Sequence, residues 1–485
     1  MSSQSPSPTG VQSQKSSLWP LLGLLVLVNM AATLYTLPLN RVIELRICQD
    51  HYEKHGGSPI APDGTISEKL CKIDEVQRRL AAIQGIMETV TVLCDLFVTI
   101  PFTFIAERFG VKVVLWCNLV PRIFMSFWAV VVGHSEHILP TKAIIAGPIL
   151  AILGGDCVFQ STIFTLTSAL SKEYVERASY FSYISSTTYV VNFIGPSLAA
   201  FTMSRNLWLP FFLNITLLCF AIPTINMLPG PRAFTIHTES EEIDEAGPLL
   251  ADQDANLNRF SNAYEIRAGY AQDITHAVKK LTRSVTGRRN FQILLLSFFL
   301  TALASSDTKL LVQYISKRFD VTFAQAGYML SAKAIVNFTL LTVIVPRIIR
   351  ASMSSKSIHG SEVRSNYICA QISIAISVIG VLAVGTAFHF WMLLVALVLY
   401  ALGSALPVFT MSLVKSPLIA IADSDIQDFS IVILVKTLGS LVGAPFMAFT
   451  WVQAIRIGGA GLGLPYFVSA GVYLAAVVVV AQLKF

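Results

Sequence analysis

Long apolar stretches dominate this sequence and determine the solvent in which it can fold. Twelve of them have the length, about twenty residues, that an α-helix needs to cross the hydrocarbon core of a bilayer. Of the 485 residues, 54% are hydrophobic and only 13% are charged, against about 25% charged in a typical soluble domain. We therefore predict an all-α membrane protein whose twelve transmembrane helices lie at residues 19–39, 83–106, 113–132, 143–170, 178–203, 207–228, 291–314, 324–345, 367–388, 391–414, 429–451 and 464–481.

The twelve predicted spans fall into two groups of six, separated by a polar linker. The linker is acidic in its first half and basic just before span seven. Basic residues beside a membrane helix favour the cytoplasmic side, so the linker and, with an even number of spans, both termini are predicted to be cytoplasmic. The predicted units are a disordered cytoplasmic tail (1–18), an N-terminal six-helix bundle (19–228), the cytoplasmic linker (229–290) and a C-terminal six-helix bundle (291–485).

A longer loop at 40–82 is predicted on the extracytoplasmic side. It contains Cys48 and Cys71, whereas the other five cysteines fall within predicted spans. Because the extracytoplasmic side is oxidising, two cysteines alone in one loop indicate a disulfide. Two free thiols are the alternative.

The segment between spans two and three places charges between two apolar runs. It reads AERFGVK and contains Glu107, Arg108, Gly110 and Lys112. This segment and the six-plus-six split resemble the major facilitator superfamily, whose signature here runs Gly-x-x-x-Asp-Arg-x-Gly-Arg-Arg/Lys. The resemblance implies two six-helix bundles and a cytoplasmic gating role for these four residues, with a solvated turn that only sets topology as the alternative. Two positions depart from the signature, namely Thr103 and Val111.

Span five contains a second element, IGPSLAA. Gly195 and Pro196 match the Gly-Pro pattern of the family's proton-antiporter branches, whereas Ala199 and Ala200 stand where that pattern has glycines. The match implies antiport, and close packing of small residues is the alternative. The long loop with its two cysteines resembles instead the proton-coupled folate and thymic cotransporter group and its fungal-type relatives, which implies import.

A faint internal repeat links span five to span eleven. Four residues recur 248 positions later, and duplicated six-helix halves are a known transporter plan. The repeat therefore predicts that the two halves share one fold. The matching residues are Gly195, Ala200, Phe201 and Thr202 in span five and Gly443, Ala448, Phe449 and Thr450 in span eleven.

Three ionisable residues lie near the middle of the N-terminal spans. Asp95, Arg122 and Asp156 are each about 15–21 Å from the predicted cytoplasmic end of their span, in a core roughly 30 Å thick. Charges at this depth are costly and point to function. We predict that they form one polar cluster in which the carboxylates carry protons and Arg122 tunes them or holds an anionic substrate. A static ion pair that fixes helix packing is the alternative.

The C-terminal spans hold four weaker candidates, Asp307, Lys309, Lys333 and Lys436. Asp307 and Lys333 lie at depths that permit an outer pair or gate. The lysines can also extend toward the headgroups, because their long apolar stems allow the charge to reach water.

These features predict a secondary active transporter that moves a small organic solute by alternating access. Protons are the predicted coupling ion and export is the predicted direction; a proton-coupled importer and a non-transporting solute sensor of the same fold are the alternatives. We recognise no phosphate loop, no Cys/His spacing of a zinc site and no nucleophile–base arrangement, so no cofactor, metal or enzymatic activity is predicted. The predicted partners are the substrate, protons and lipid, without nucleic acid, and the protein is predicted to be a monomer.

The linker also carries a prediction about location. Its segment EAGPLL (245–250) has the form of an acidic dileucine sorting signal. The predicted location is the plasma membrane or a vacuolar or other endomembrane.

Overall fold

The structure is a computed structural model that describes residues 9–55, 66–135, 138–170, 174–228, 288–344, 361–403 and 425–483, together with residues 347, 406, 409–410 and 413. The linker residues 229–287, including the dileucine segment, lie outside these ranges. The N-terminal half contains the helices α1 (Thr9–His55), α2 (Asp74–Phe109), α3 (Val111–His134), α4 (Ala146–Ile149), α5 (Asp156–Leu170), α6 (Tyr174–Arg205) and α7 (Leu209–Met227). The C-terminal half contains α8 (Arg289–Ser305), α9 (Leu311–Arg318), α10 (Phe323–Thr339), α11 (Ser361–Thr386), α12 (Phe390–Leu402), α13 (Asp425–Ile457) and α14 (Leu464–Val480).

The helices account for the predicted spans. Within the described ranges, nine helical segments are long and apolar enough to cross a membrane. The apolar α12 is shorter, and α6 and α10 stand at the positions of the fifth and eighth predicted spans. In chain order the described helices form two sets of six spans, as predicted, with the fourth span built from short turns plus α5 and the seventh from α8 and α9.

The first helix extends beyond both predicted ends. α1 begins at Thr9, inside the predicted tail, and continues to His55, so that much of the first part of the predicted loop 40–82 is helical. Its extension buries Ile43 and Ile47 against the rest of the bundle. The prediction that the first span ends at residue 39 was wrong for the helix. The prediction followed the apolar run, which stops at the first charged residues, but the helix continues because those charged side chains are paired.

Glu44 shows how this pairing works. Its carboxylate is fully buried and accepts hydrogen bonds from Arg41 at 2.7 Å, Lys72 at 2.7 Å and Gln77 at 2.6 Å. A buried charge is tolerated when it is both paired and hydrogen-bonded. The network joins the end of α1 to the start of α2, and the disulfide between Cys48 and Cys71 covalently links the same two regions.

Two membrane spans are interrupted near their middle. The fourth span breaks at Gly154, whose φ of +149° favours glycine and whose Cα approaches the backbone of α3 too closely for a side chain. The seventh span passes through a 3-10 turn at Ser306–Lys309. Each break places a charged residue at or next to the interruption, Asp156 in the fourth span and Lys309 in the seventh.

The repeat between spans five and eleven corresponds to equivalent packing. A Cβ added at Gly195 would overlap Thr33 of the first span, and one added at Gly443 would overlap Ser306 of the seventh. Small residues at such positions allow helix backbones to approach closely. In each half, a glycine of the fifth helical span of that half therefore packs closely against the first span of the same half.

The repeated alanines make the matching contacts between the halves. A Cβ added at Gly327 of α10 would lie 3.2 Å from the Ala200 side chain of α6. A Cβ added at Gly85 of α2 would overlap the Ala448 side chain of α13. We call the end of the molecule that carries the Cys48–Cys71 bond the disulfide face, and the end at Met227 and Arg289 the linker face. Both of these contacts between the bundles lie closer to the disulfide face than to the linker face.

Polar contacts also join the halves at the disulfide face. Lys317, in the last turn of α9, pairs with Asp74 at 2.6 Å, and the backbone N–H of Phe323 donates to Glu68 at 2.7 Å. A carboxylate is well placed there because Phe323 begins α10 and helix N-termini favour negative charge. Lys72 lies 4.1 Å from the centre of the Phe323 ring. The halves are thus closed against each other at this face.

This closure predicts the effect of adding methyl groups at the contact. Gly85→Ala combined with Gly327→Ala introduces side chains that require the halves to separate, and overpacking of this kind costs about 1–3 kcal/mol. A cysteine placed at Thr308, which faces the interior, is then expected to react about fivefold faster or more with a membrane-impermeant thiol reagent supplied from the disulfide face.

Gly471→Ala is the matched control, because nothing lies within 4 Å of the added Cβ. It is expected to leave the labelling rate unchanged. An unchanged rate in the Gly85/Gly327 double variant would show that these contacts do not seal the disulfide face.

Candidate functional site

A cavity of about 410 Å³ lies between the two halves. Its wall combines apolar side chains with a few polar groups, which is the usual character of a small-molecule site. Residues from both halves contribute, so that any relative movement of the halves changes its shape. The polar lining residues include Thr36, Gln84, Glu88, Asn192, Lys309 and Lys333.

Glu88 and Lys309 connect the halves inside this cavity. Glu88 lies on α2 of the N-terminal half, and its carboxylate is 3.2 Å from the Lys309 ammonium group at the break of the seventh span. The two side chains are partly accessible through the cavity rather than sealed in the protein. An ion pair in this position holds α2 against span seven and is open to a solute or water.

A second cavity of about 210 Å³ adjoins the first and shares Glu88 and Lys309 with it. Arg122 of α3 and Asp156 of α5 line it and form an ion pair. Arg122 Nε also donates to Asn118 Oδ1 at 2.8 Å. Two of the three residues in the predicted N-terminal cluster are therefore in direct contact.

Asp95 lies behind this pair. Its side chain is largely buried, and a Cβ added at Gly155 would overlap the Asp95 carboxylate. Since Gly155 immediately precedes Asp156, Asp95 approaches the start of α5, next to the Arg122–Asp156 pair. Asp95 does not line either cavity among the residues described. The structure therefore places it beside the pair, away from the cavity surface.

In the C-terminal half, a tyrosine separates the two residues that were predicted to pair. The Tyr400 hydroxyl donates to the buried Asp307 carboxylate at 2.6 Å, and Lys333 lies 4.1 Å from the centre of the Tyr400 ring. Among the described residues Asp307 and Lys333 form no direct ion pair, so the predicted pairing does not occur in this conformation. Lys333 and Lys436 line a third cavity of about 340 Å³, which shares Lys333 with the first.

The predicted gating segment forms the turn between α2 and α3. Gly110 has a φ of +86°, a conformation that favours glycine, and Lys112 donates to the Asn226 carbonyl at the end of α7 at 3.1 Å. This contact lies within the N-terminal half. The side chains of Glu107 and Arg108 lie outside what the structure describes, so their gating role stays a prediction.

Three contributors were missed or underrated from the sequence. Asn118 donates to the carbonyls of Gly154 and Gly155 at 2.5 and 2.8 Å while accepting from Arg122, and so holds the break of the fourth span against α3. Tyr400 was not singled out, and Glu88 was not paired with Lys309. The signal available for each was a polar residue inside a predicted span. The spacing of residues along one helix does not show which residue of another helix it contacts.

A sequence model of the Major Facilitator Superfamily matches residues 75–444 of this chain. That match covers most of the protein and includes the cavity residues Glu88, Lys309 and Lys333. The chain belongs to the major facilitator superfamily. It is a multi-pass membrane transporter rather than an enzyme, as the sequence predicted.

Fungal members of the superfamily are similar to this chain over almost its whole length. The MFS efflux pump atnC of Emericella nidulans is 23% identical over 476 residues, covering 96% of this chain and 89% of the pump. The efflux pump ustT of Aspergillus flavus is 23% identical over 448 residues, covering 90% and 82% of the two chains. The resemblance to fungal-type members is thus confirmed.

Solved structures show the same fold. A D-xylose-proton symporter superposes with a TM-score of 0.62 at 14% identity, covering 98% of each chain. The human organic anion transporter MFSD10 (TETRAN) superposes with a TM-score of 0.55 at 14% identity, covering 98% of this chain and 100% of the other. At this identity the likeness supports the major facilitator fold and nothing finer.

The site geometry makes Asn118 a structural anchor of this transporter. Asn118→Leu removes three hydrogen bonds, those to the Gly154 and Gly155 carbonyls and the one from Arg122 Nε. Arg122 keeps its pair with Asp156, and the Gly155 carbonyl still accepts from the Phe159 N–H. We expect the variant to be destabilised by about 1–3 kcal/mol, the usual cost of leaving buried polar groups unsatisfied. Thermal unfolding of the purified protein in detergent measures this loss.

Asn214→Leu is the matched control. Asn118 and Asn214 are each 1% exposed, but Asn214 Oδ1 has no hydrogen-bond partner among the described residues. Its replacement is expected to be neutral or stabilising, because it removes an unsatisfied group. Equal losses in both variants would contradict an anchoring role specific to Asn118.

Proposed function

We propose that this protein exports a small amphipathic organic solute by alternating access, driven by a proton gradient. The observation that carries the proposal is the charged cavity between two halves that are closed at one face. Energy for export then comes from a proton that enters as the solute leaves. Two fungal relatives, both named as efflux pumps, support this direction.

The disulfide face is the extracytoplasmic face in this proposal. A disulfide forms and persists in an oxidising compartment, which here is the outside or the lumen of an organelle. The linker face and both termini are then cytoplasmic, and the structure corresponds to the state that is closed to the outside. Opening at the linker face would let Glu107, Arg108, Gly110 and Lys112 act in closing it again.

Proton coupling is assigned to the cluster of Asp95, Arg122 and Asp156. The Arg122–Asp156 pair lines the cavity, so a proton reaching Asp156 would release Arg122 from its partner. The freed guanidinium would then be available to the solute or to Glu88, which borders the same cavity. Protonation would in this way alter the balance between the two conformations, because binding shifts an equilibrium only through differential affinity.

The solute is proposed to carry a negative charge. Lys333 and Lys436 line the C-terminal cavity, and in the described part of the chain neither ammonium group lies within ion-pair distance of a carboxylate. A cation in such a cavity is favoured when an anionic ligand pairs with it. The apolar remainder of the wall would hold the rest of an amphipathic molecule.

Flux measurements with purified protein in liposomes test this function. Candidate solutes are organic acids with an apolar body, preselected by thermal stabilisation of the protein. We expect export from the linker side to the disulfide side, accelerated by a proton gradient directed toward the linker side. In Asp156→Asn, which cannot ionise, transport down the solute gradient persists but the acceleration by the proton gradient is lost.

Asp320→Asn is the control for the loss of a carboxylate, since Asp320 is exposed in the turn before α10 and lies away from the cavities. It is expected to behave as the wild type. Full pH coupling in Asp156→Asn would remove the proposed proton role of that residue. Binding without flux in the wild type would identify a sensor, and accumulation in the opposite direction would identify an importer.

A further inference from the structure

Two histidines and a glutamate converge at the disulfide face, away from the transport cavity. His51 and His55 lie one turn apart near the end of α1, and Glu75 lies in the first turn of α2. The ligand atoms of the three side chains all lie within 4.8 Å of one another. Two imidazoles and a carboxylate are a ligand set that zinc uses when it keeps a fourth position for water.

We propose that His51, His55 and Glu75 bind a divalent transition-metal ion, for which Zn²⁺ fits best. His51 Nδ1 and Glu75 Oε2 are 3.4 Å apart. Two ligands placed about 2.0–2.1 Å from a tetrahedral ion are separated by about 3.4 Å, so this pair already has the required spacing. His55 is exposed, and its ligand atom lies within 4.8 Å of those of His51 and Glu75.

The histidines are arranged for ligation by opposite ring nitrogens. His51 Nδ1 is buried and, apart from its approach to Glu75, has no hydrogen-bond partner among the described residues. His55 Nδ1 lies 2.8 Å from the His51 carbonyl, which fixes that nitrogen as the donor and leaves Nε2 free as a ligand. A backbone carbonyl holding the second ring nitrogen is the usual support of a metal-binding histidine.

Neighbouring charges orient the carboxylate ligand. Arg79 donates to Glu75 Oε1 at 2.7 Å and leaves Oε2 directed at His51. The positive charge of Arg79 is opposed by Asp50 at 3.3 Å, and Asp50 also pairs with Lys54. Hydrogen bonds of this kind to a ligating carboxylate are a common feature around metal ions.

The position of the site gives the ion a structural consequence. Glu75 is adjacent to Asp74, which pairs with Lys317 of the other half, and His51 is three residues beyond Cys48 of the disulfide. A bound ion would join the ends of α1 and α2 next to the contact that closes the disulfide face. Its binding is therefore expected to stabilise the folded protein as well as the closed conformation.

Metal binding by the purified full-length protein tests the proposal directly. Free thiols are first alkylated, because soft thiolates compete for these metals. Co²⁺ serves as a visible-absorption probe and Zn²⁺ as its competitor, with equilibrium dialysis giving the stoichiometry. We expect one Co²⁺ per chain, displaced by Zn²⁺, together with a higher unfolding temperature in the presence of Zn²⁺.

The ligand variants decide the assignment. His51→Ala and His55→Gln are each expected to weaken Co²⁺ binding by roughly tenfold or more, while His389→Ala, an exposed histidine outside the cluster, leaves it unchanged. If His51→Ala fails to fold, the exposed His55 variant carries the test. Absence of wild-type binding, or equal binding in the ligand variants and the control, would show that His51 and Glu75 are an ion pair only. Either result is independent of whether the protein exports a solute.

Discussion

A charge inside a bilayer must meet an opposite charge or a water-accessible cavity, and this requirement organises the interior of the transporter. Arg122 and Asp156 satisfy it within one half, and Glu88 and Lys309 satisfy it between the halves. Both pairs lie at cavity walls, so they are exposed to whatever enters. In the proposed mechanism the pairs that stabilise the helices are also the groups that a proton or an anionic solute separates.

The interrupted helices supply the geometry for these pairs. Gly154 ends one segment of the fourth span so that Asp156 begins the next at mid-depth, and the turn at Ser306–Lys309 carries Lys309 toward the opposite half. Close contacts between small residues, such as Gly85 with Ala448, then bring the halves together at the disulfide face. Those contacts involve little side-chain interdigitation, which suits the separation of the halves that we propose.

The sequence predicted the fold well because a membrane span is a local property. Apolar runs and the repeat at Gly195 and Gly443 can be read without knowing any partner. The contacts between charged side chains were predicted only in part: the Arg122–Asp156 contact follows from the depth of the two residues, but Tyr400 between Asp307 and Lys333 was not foreseen. Which helix faces which is set by long-range packing, and that information is absent from one sequence. The extension of α1 was missed for the same reason, since the partners of Glu44 lie on other elements.

The central claim is that the halves close at the disulfide face and open at the linker face in alternation. Distances between paired spin labels test it most directly, in protein whose free cysteines have been replaced. One pair, at Lys69 and Ile457, spans the disulfide face, and the other, at Met227 and Arg364, spans the linker face. Between mildly alkaline and mildly acidic buffer we expect the populated distances to change in opposite directions at the two faces. Distances that stay fixed, or that lengthen together, would contradict alternating access in this protein.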